Sequence, residues 1–220
     1  MVKEKIGIKS RFQFVIAYFQ QTMPSVDTEL HYTNPYELLV AVILSAQCTD
    51  KRVNMITPAF FKVYPDSATL ASADTDQIYE LIKSCSYPNN KAKNLLGMAQ
   101  ALEHKFGGNV PDNRESLESI PGVGRKTANV MLAVAFKTPA LAVDTHVFRV
   151  SNRIGLTNNS KSPLETEKQL VKYIPENLLC DAHHWLILHG RYVCVARKPK
   201  CNQCGLVEVC KYYKDNAISL

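Results

Sequence analysis

The sequence has no apolar run long enough to cross a bilayer. Its longest, residues 38–44, falls far short of the roughly 20 that a membrane helix requires. No export signal is recognisable either. Residues 3–11 are charged, and Phe12, Val15, Ile16 and Phe19 recur at helical spacing, which predicts an amphipathic helix there. Sustained period-two alternation is missing, so an extended sheet is not expected. There is no internal repeat and no low-complexity segment. Acidic residues are the minority charge, 20 against 26 Lys plus Arg. The formal net charge of +6 favours polyanionic partners without identifying one. Seven cysteines without an export signal fit a reducing cytoplasm.

What is present describes an ordinary globular chain: 220 residues, 46% hydrophobic and 21% charged, enough for one large domain or two small ones. Asn34-Pro35-Tyr36-Glu37 has the form of a helix start, with Asn34 as cap, Pro35 in the first turn and Glu37 at the capping-box position. The helix that follows, through Leu44, is apolar nearly all round and is expected to be central. Further helices are expected at 51–63, 75–83, 91–106 (closed by Gly107-Gly108), 114–119, 125–136, 145–154, 164–174 and 182–192. Residues 84–90 are expected to form a polar, proline-containing loop. The fold class is all-α.

Four cysteines crowd the C-terminal end as Cys194, Cys201, Cys204 and Cys210, spaced C-x6-C-x2-C-x5-C. Thiolates gathered this tightly repel one another unless a cation or disulfide pairing neutralises them. An all-cysteine set suits an iron–sulfur cluster. Zinc is the nearest rival, although its structural sites usually pair two short chelating units, and only Cys201–Cys204 is C-x2-C. Disulfides would need an oxidising compartment. His183, His184 and His189 lie beside Trp185 on an apolar stretch and are expected to be core polar residues, not ligands.

The second dense feature is Ile120-Pro-Gly-Val-Gly-Arg-Lys-Thr-Ala128. Gly122 and Gly124 permit a tight turn, for which positive φ is expected at both. A helix opening directly after the turn would point free N–H groups and its dipole at one anion site, with Arg125 and Lys126 beside it. The Walker spacing is absent. A plain αα-hairpin, in which the glycines only make the turn, is the simpler alternative.

Hairpin and cysteine block together resemble the endonuclease III family of helix-hairpin-helix DNA glycosylases. The resemblance extends to Leu44-Ser-Ala-Gln-Cys-Thr-Asp50, Val143-Asp-Thr-His-Val-Phe-Arg149 and His183-His-Trp-Leu-Ile-Leu-His-Gly-Arg191, and covers about residues 28–210. It implies a base-excision-repair enzyme that removes oxidised or ring-saturated pyrimidines and then cleaves the abasic strand. The implied partner is damaged double-stranded DNA, met by a monomer. The resemblance also implies a six-helix barrel at 28–138, carrying the hairpin at about 114–133. A second domain of 1–27 plus 139–220 would hold one 4Fe-4S cluster on the four cysteines, with the active-site cleft between the domains. Lys126 matches the nucleophile and Asp144 the essential carboxylate. Gly122, Val123, Gly124, Arg125, Thr127 and His146 are implied DNA contacts, as are Arg197, Lys198 and Lys200 in the loop between the first two cysteines. Gln47 matches a residue that fills the hole left by a flipped base. Its counterpart falls at Tyr87, where this chain departs from the family with Ser86-Tyr87-Pro88 in place of Gly-Leu-Tyr. The adenine-mismatch branch uses a carboxylate in the central helix, and 38–48 has none. The thymine-mismatch branch replaces the lysine.

Overall fold

The structure is a computed structural model, and it describes residues 6–216. Expectations touching residues 1–5 and 217–220 lie outside the described residues. Every regular element among the described residues is helical. The chain divides into two compact units, one containing Thr28–Thr138 and the other the described residues up to Asp27 together with those from Pro139 onward.

The continuous unit holds α2 (Pro35–Ser45), α3 (Asp50–Val63), α4 (Ser67–Ala71), α5 (Thr75–Ile82), α6 (Pro88–Phe106), α7 (Arg114–Glu118) and α8 (Arg125–Val134). Its centre is α2, which packs against α3, α6 and α8 and buries every residue from Leu38 to Leu44. Near-complete apolarity allows this, because no face has to meet water. At its start Asn34 Oδ1 accepts from Glu37 N (3.0 Å). Glu37 Oε2 reaches back to Thr33 N (2.7 Å). The box therefore closes one residue earlier than the sequence pattern suggests. Two details differ from expectation. Ser67–Ala71 forms a short helix capped by Asp66, and α6 begins at Pro88 instead of Lys91. Proline suits the first helical position, so what looks like loop is the first turn of α6.

The discontinuous unit holds α1 (Ile8–Thr22), α9 (Thr145–Ile154), α10 (Pro163–Leu170), α11 (Leu179–Tyr192) and α12 (Lys211–Asn216), with short 3-10 turns at Glu176–Leu178 and Cys201–Gln203. Phe12, Val15 and Phe19 of α1 enter a core shared with Val147, Val150, Trp185, Leu206 and Val209. Phe19 stacks on Trp185 (5.8 Å between centroids), and Trp185 Nε1 donates to Met23 O (2.9 Å). Arg11 ties the same helix to later segments through Gly155 O (2.8 Å) and Val209 O (3.0 Å). The helix expected at 164–174 stops at Leu170, and α11 starts three residues earlier than expected.

Candidate functional site

The glycine turn is built as a hairpin between α7 and α8, which pack on one another. Asn113 caps α7 by accepting from Ser116 N (2.9 Å). Ile120 and Val123 are buried and anchor the turn, and Val123 N donates to Ile120 O (3.0 Å). That leaves Val123 little beyond its carbonyl to offer a ligand. Gly122 has φ +81°, and a Cβ there would lie 2.9 Å from Asn94 Cβ on α6. Both facts demand glycine.

Gly124 corrects the expectation of two positive-φ glycines. Its φ is −96°, which any residue adopts, and a Cβ there would meet nothing within 4 Å. Packing within this chain gives no reason for glycine at that position. Its effect is outward: α8 opens with no side-chain cap, no acidic residue in its first turn, and a bare approach to its N-terminus. Arg125 and Thr127 are half-buried there, while Lys126, between them, is exposed. Such a terminus attracts anions.

Asp144 caps α9. Its Oδ1 accepts from His146 N and Val147 N, both at 2.8 Å, and its Oδ2 lies 3.0 Å from His146 Nδ1. The side chain is 14% exposed. Two N–H donors and the positive end of the helix dipole stabilise negative charge on this carboxylate. His146 is thus tied to Asp144 itself. Tight packing holds the pair in place, since a Cβ on Gly190 of α11 would come within 2.9 Å of His146 Cβ.

Gln47 and Tyr87 come together in the continuous unit. Both are non-glycine residues in the left-handed region, with φ 54° and 55°. Both are exposed, Tyr87 by 63%. Ser86 Oγ donates to Gln47 O (2.8 Å), joining the turn after α2 to the turn before α6. Left-handed backbone at two bulky residues costs energy, of order 1–3 kcal/mol each, and such strain clusters at functional sites.

Cys194, Cys201, Cys204 and Cys210 line one small, largely apolar cavity beneath α9 and α11. Burial pushes the Cys210 thiol up to about 11 and raises Cys201 and Cys204, and neighbouring cysteines add to each shift. Four thiolates here require a cationic centre. No three His, Cys, Asp or Glu side chains among the described residues converge on a single-ion site. Four sulfurs lining one cavity are a donor set that suits an iron–sulfur cluster. Two residues that sequence reasoning missed hold the loop. Arg149 donates to Cys194 O (3.2 Å) and Gly190 O (2.9 Å). Arg153 donates to Val195 O (2.8 Å), Ala196 O (2.7 Å) and Cys194 Sγ (3.6 Å), and lies over the Tyr212 ring. Their signal was present as two arginines four apart on a helix whose other face is apolar. Arg197, Lys198 and Lys200 project from that loop, all exposed. His183, His184 and His189 are buried; His183 Nδ1 meets Ala142 O at 2.8 Å, and His189 Nε2 lies 3.7 Å from Cys204 Sγ.

Comparison with known proteins adds to this geometry. The family model described as HhH-GPD superfamily base excision DNA repair protein matches residues 40–176. Endonuclease III of Rickettsia felis is 46% identical over 205 residues, 93% of this chain and 96% of its own length. Endonuclease III of Escherichia coli K12 is 42% identical over 198 residues, 90% of this chain and 93% of its own. A solved structure of a trapped endonuclease III–DNA covalent intermediate matches with a TM-score of 0.92 at 40% identity, covering 96% of this chain and 100% of that one. A thermostable thymine-DNA glycosylase matches with a TM-score of 0.82 at 26% identity, over 94% of this chain and 97% of that one.

Proposed function

Because this chain belongs to the endonuclease III family, within the HhH-GPD superfamily of base excision DNA repair proteins, we propose that Lys126 is its nucleophile and Asp144 its essential carboxylate. The chain is a DNA glycosylase and abasic-site lyase acting on damaged double-stranded DNA, and it removes oxidised or ring-saturated pyrimidines. The observation that carries the residue assignment is the position of Lys126. It is an exposed amine in the uncapped first turn of α8, in a chain 40% identical to one trapped in covalent linkage to DNA.

The chemistry follows from an amine meeting a sugar. The damaged nucleotide leaves the stack, since its C1′ is unreachable inside the duplex. Lys126 Nζ must attack as the neutral amine, so it has to lose its proton first. Asp144 is assigned as the carboxylate that stabilises positive charge developing on the sugar. Its two backbone donors, His146 N and Val147 N, fix Oδ1 in place. Nζ bonds to C1′ as the base departs, the sugar opens to an imine, and β-elimination breaks the strand on the 3′ side.

The rest of the site holds the duplex. The Gly122–Gly124 turn, with Arg125 and Thr127, offers backbone N–H groups and charge to a phosphate. Gln47 and Tyr87 fill the space that the flipped nucleotide vacates, a role that exposed side chains on strained turns suit. The four cysteines would hold one 4Fe-4S cluster, whose cationic core would offset much of their charge and tie down the loop bearing Arg197, Lys198 and Lys200. We place the protein in the cytoplasm, on the nucleoid. Borohydride reduction of the complex with abasic-site duplex tests the central assignment. The wild type is expected to give a covalent adduct and Lys126→Ala none; an undiminished adduct from that variant overturns it.

A further inference from the structure

Cys48 and Cys85 have no part in the chemistry described above. Cys48 directly follows Gln47, and Cys85 directly precedes Ser86 and Tyr87. The two thiols are free and close enough to act on one another electrostatically. The backbone beside them is joined as well, through Ser86 Oγ to Gln47 O at 2.8 Å. Beneath the pair lies Lys91, 5% exposed, whose Nζ donates to Leu44 O (2.7 Å). The Lys91 ammonium and the Arg52 guanidinium both favour negative charge on Cys85. Burial acts in the opposite sense on Cys85 and pushes its thiol up to about 11, whereas Cys48 is only half-buried. The partners are therefore unequal. Cys48 is the reachable sulfur and Cys85 the one waiting behind it.

We propose that Cys48 and Cys85 form an oxidative modification site, closed by a hydroperoxide into a disulfide that locks together the turns carrying Gln47 and Tyr87. The Cys48 thiolate attacks one peroxide oxygen, the O–O bond breaks, and the departing hydroxide takes a proton to leave as water. Cys48 is then a sulfenic acid. Cys85 gives up its proton and attacks the Cys48 sulfur, expelling a second hydroxide that leaves as water. Two thiols are oxidised by two electrons and one peroxide is reduced. Turns already joined by the Ser86–Gln47 bond need little backbone movement to bring the neighbouring sulfurs to bonding distance. A bond between the turns restrains two side chains that must rearrange when DNA binds. That consequence rests on the proposed role of Gln47 and Tyr87; the disulfide itself does not.

The test treats the cluster-loaded protein with hydrogen peroxide in the absence of DNA, blocks free thiols with N-ethylmaleimide, and maps peptides without reduction. A Cys48–Cys85 linked peptide, two hydrogens lighter than its parts, is the expected result. In Cys85→Ser the link is lost and dimedone labelling of Cys48 rises, because the sulfenic acid is no longer resolved. Absence of the link, or equal dimedone labelling of Cys48 in wild type and Cys85→Ser, overturns the site. The linked protein should bind abasic-analogue duplex on the order of tenfold more weakly, with dithiothreitol restoring affinity and Cys85→Ser unaffected. A mapped link that leaves affinity unchanged keeps the site and counts against the assignment of Gln47 and Tyr87.

Discussion

Asp144 caps α9, and a single substitution separates that cap from the catalytic role proposed for it. Asparagine caps a helix about as well as aspartate. Asp144→Asn should therefore keep the bonds to His146 N and Val147 N, hold thermal stability close to wild type, and still lower glycosylase turnover by about 100-fold or more. Asp144→Ala should lose activity and also about 1 kcal/mol of stability, seen as a lower melting temperature. Equal turnover in wild type and Asp144→Asn would leave the residue as a cap alone. The cap was legible from Val143-Asp144-Thr145, because aspartate is a preferred cap before an apolar-periodic stretch. The tie from His146 Nδ1 to Asp144 Oδ2 was not. It depends on a rotamer that close packing by Gly190 selects, and that contact crosses 44 positions of chain.

Turns and helices show the same division between what local chemistry dictates and what packing decides. The two hairpin glycines look equivalent in sequence and differ in physics. Gly122→Ala forces a Cβ against Asn94 at positive φ, and should cost about 1–3 kcal/mol in denaturant unfolding. Gly124→Ala meets nothing inside the chain, so its stability should stay within about 0.5 kcal/mol of wild type. Its affinity for duplex DNA should nevertheless fall, because the methyl would stand where a phosphate is proposed to approach. A binding curve identical to wild type would show that the turn only shapes the hairpin. Helix positions were largely readable because α2, α3 and α9 announce themselves through caps, and α8 through its apolar run after the glycine turn. The start of α6 was missed because Tyr87 enters it from the left-handed region, which no side-chain cap advertises. Short α4 was missed because five residues are too few to show a period.

Across the whole molecule, the cysteine loop depends on partners far away in sequence. Arg153 holds two of its carbonyls and one thiol from 41 to 43 positions away. Arg153→Ala is expected to lower iron content and to weaken DNA binding through a slack basic loop, as metal analysis and a salt-dependent binding titration would show. Cys201→Ala should lose the iron altogether, with its broad visible absorbance. One zinc and no iron in the purified wild type would replace the cluster reading and leave Lys126 untouched. The order of the chain adds a consequence for biogenesis. Helix α1 shares its core with Leu206 and Val209, almost 200 residues downstream. In synthesis order α1 precedes every partner of its core, which starts at Leu141, so the segment from Thr28 to Thr138 is complete before α1 has anything to fold onto. An earlier stretch of the nascent protein thus settles after a later one, and the proposed cluster could be loaded only once Cys210 has followed both.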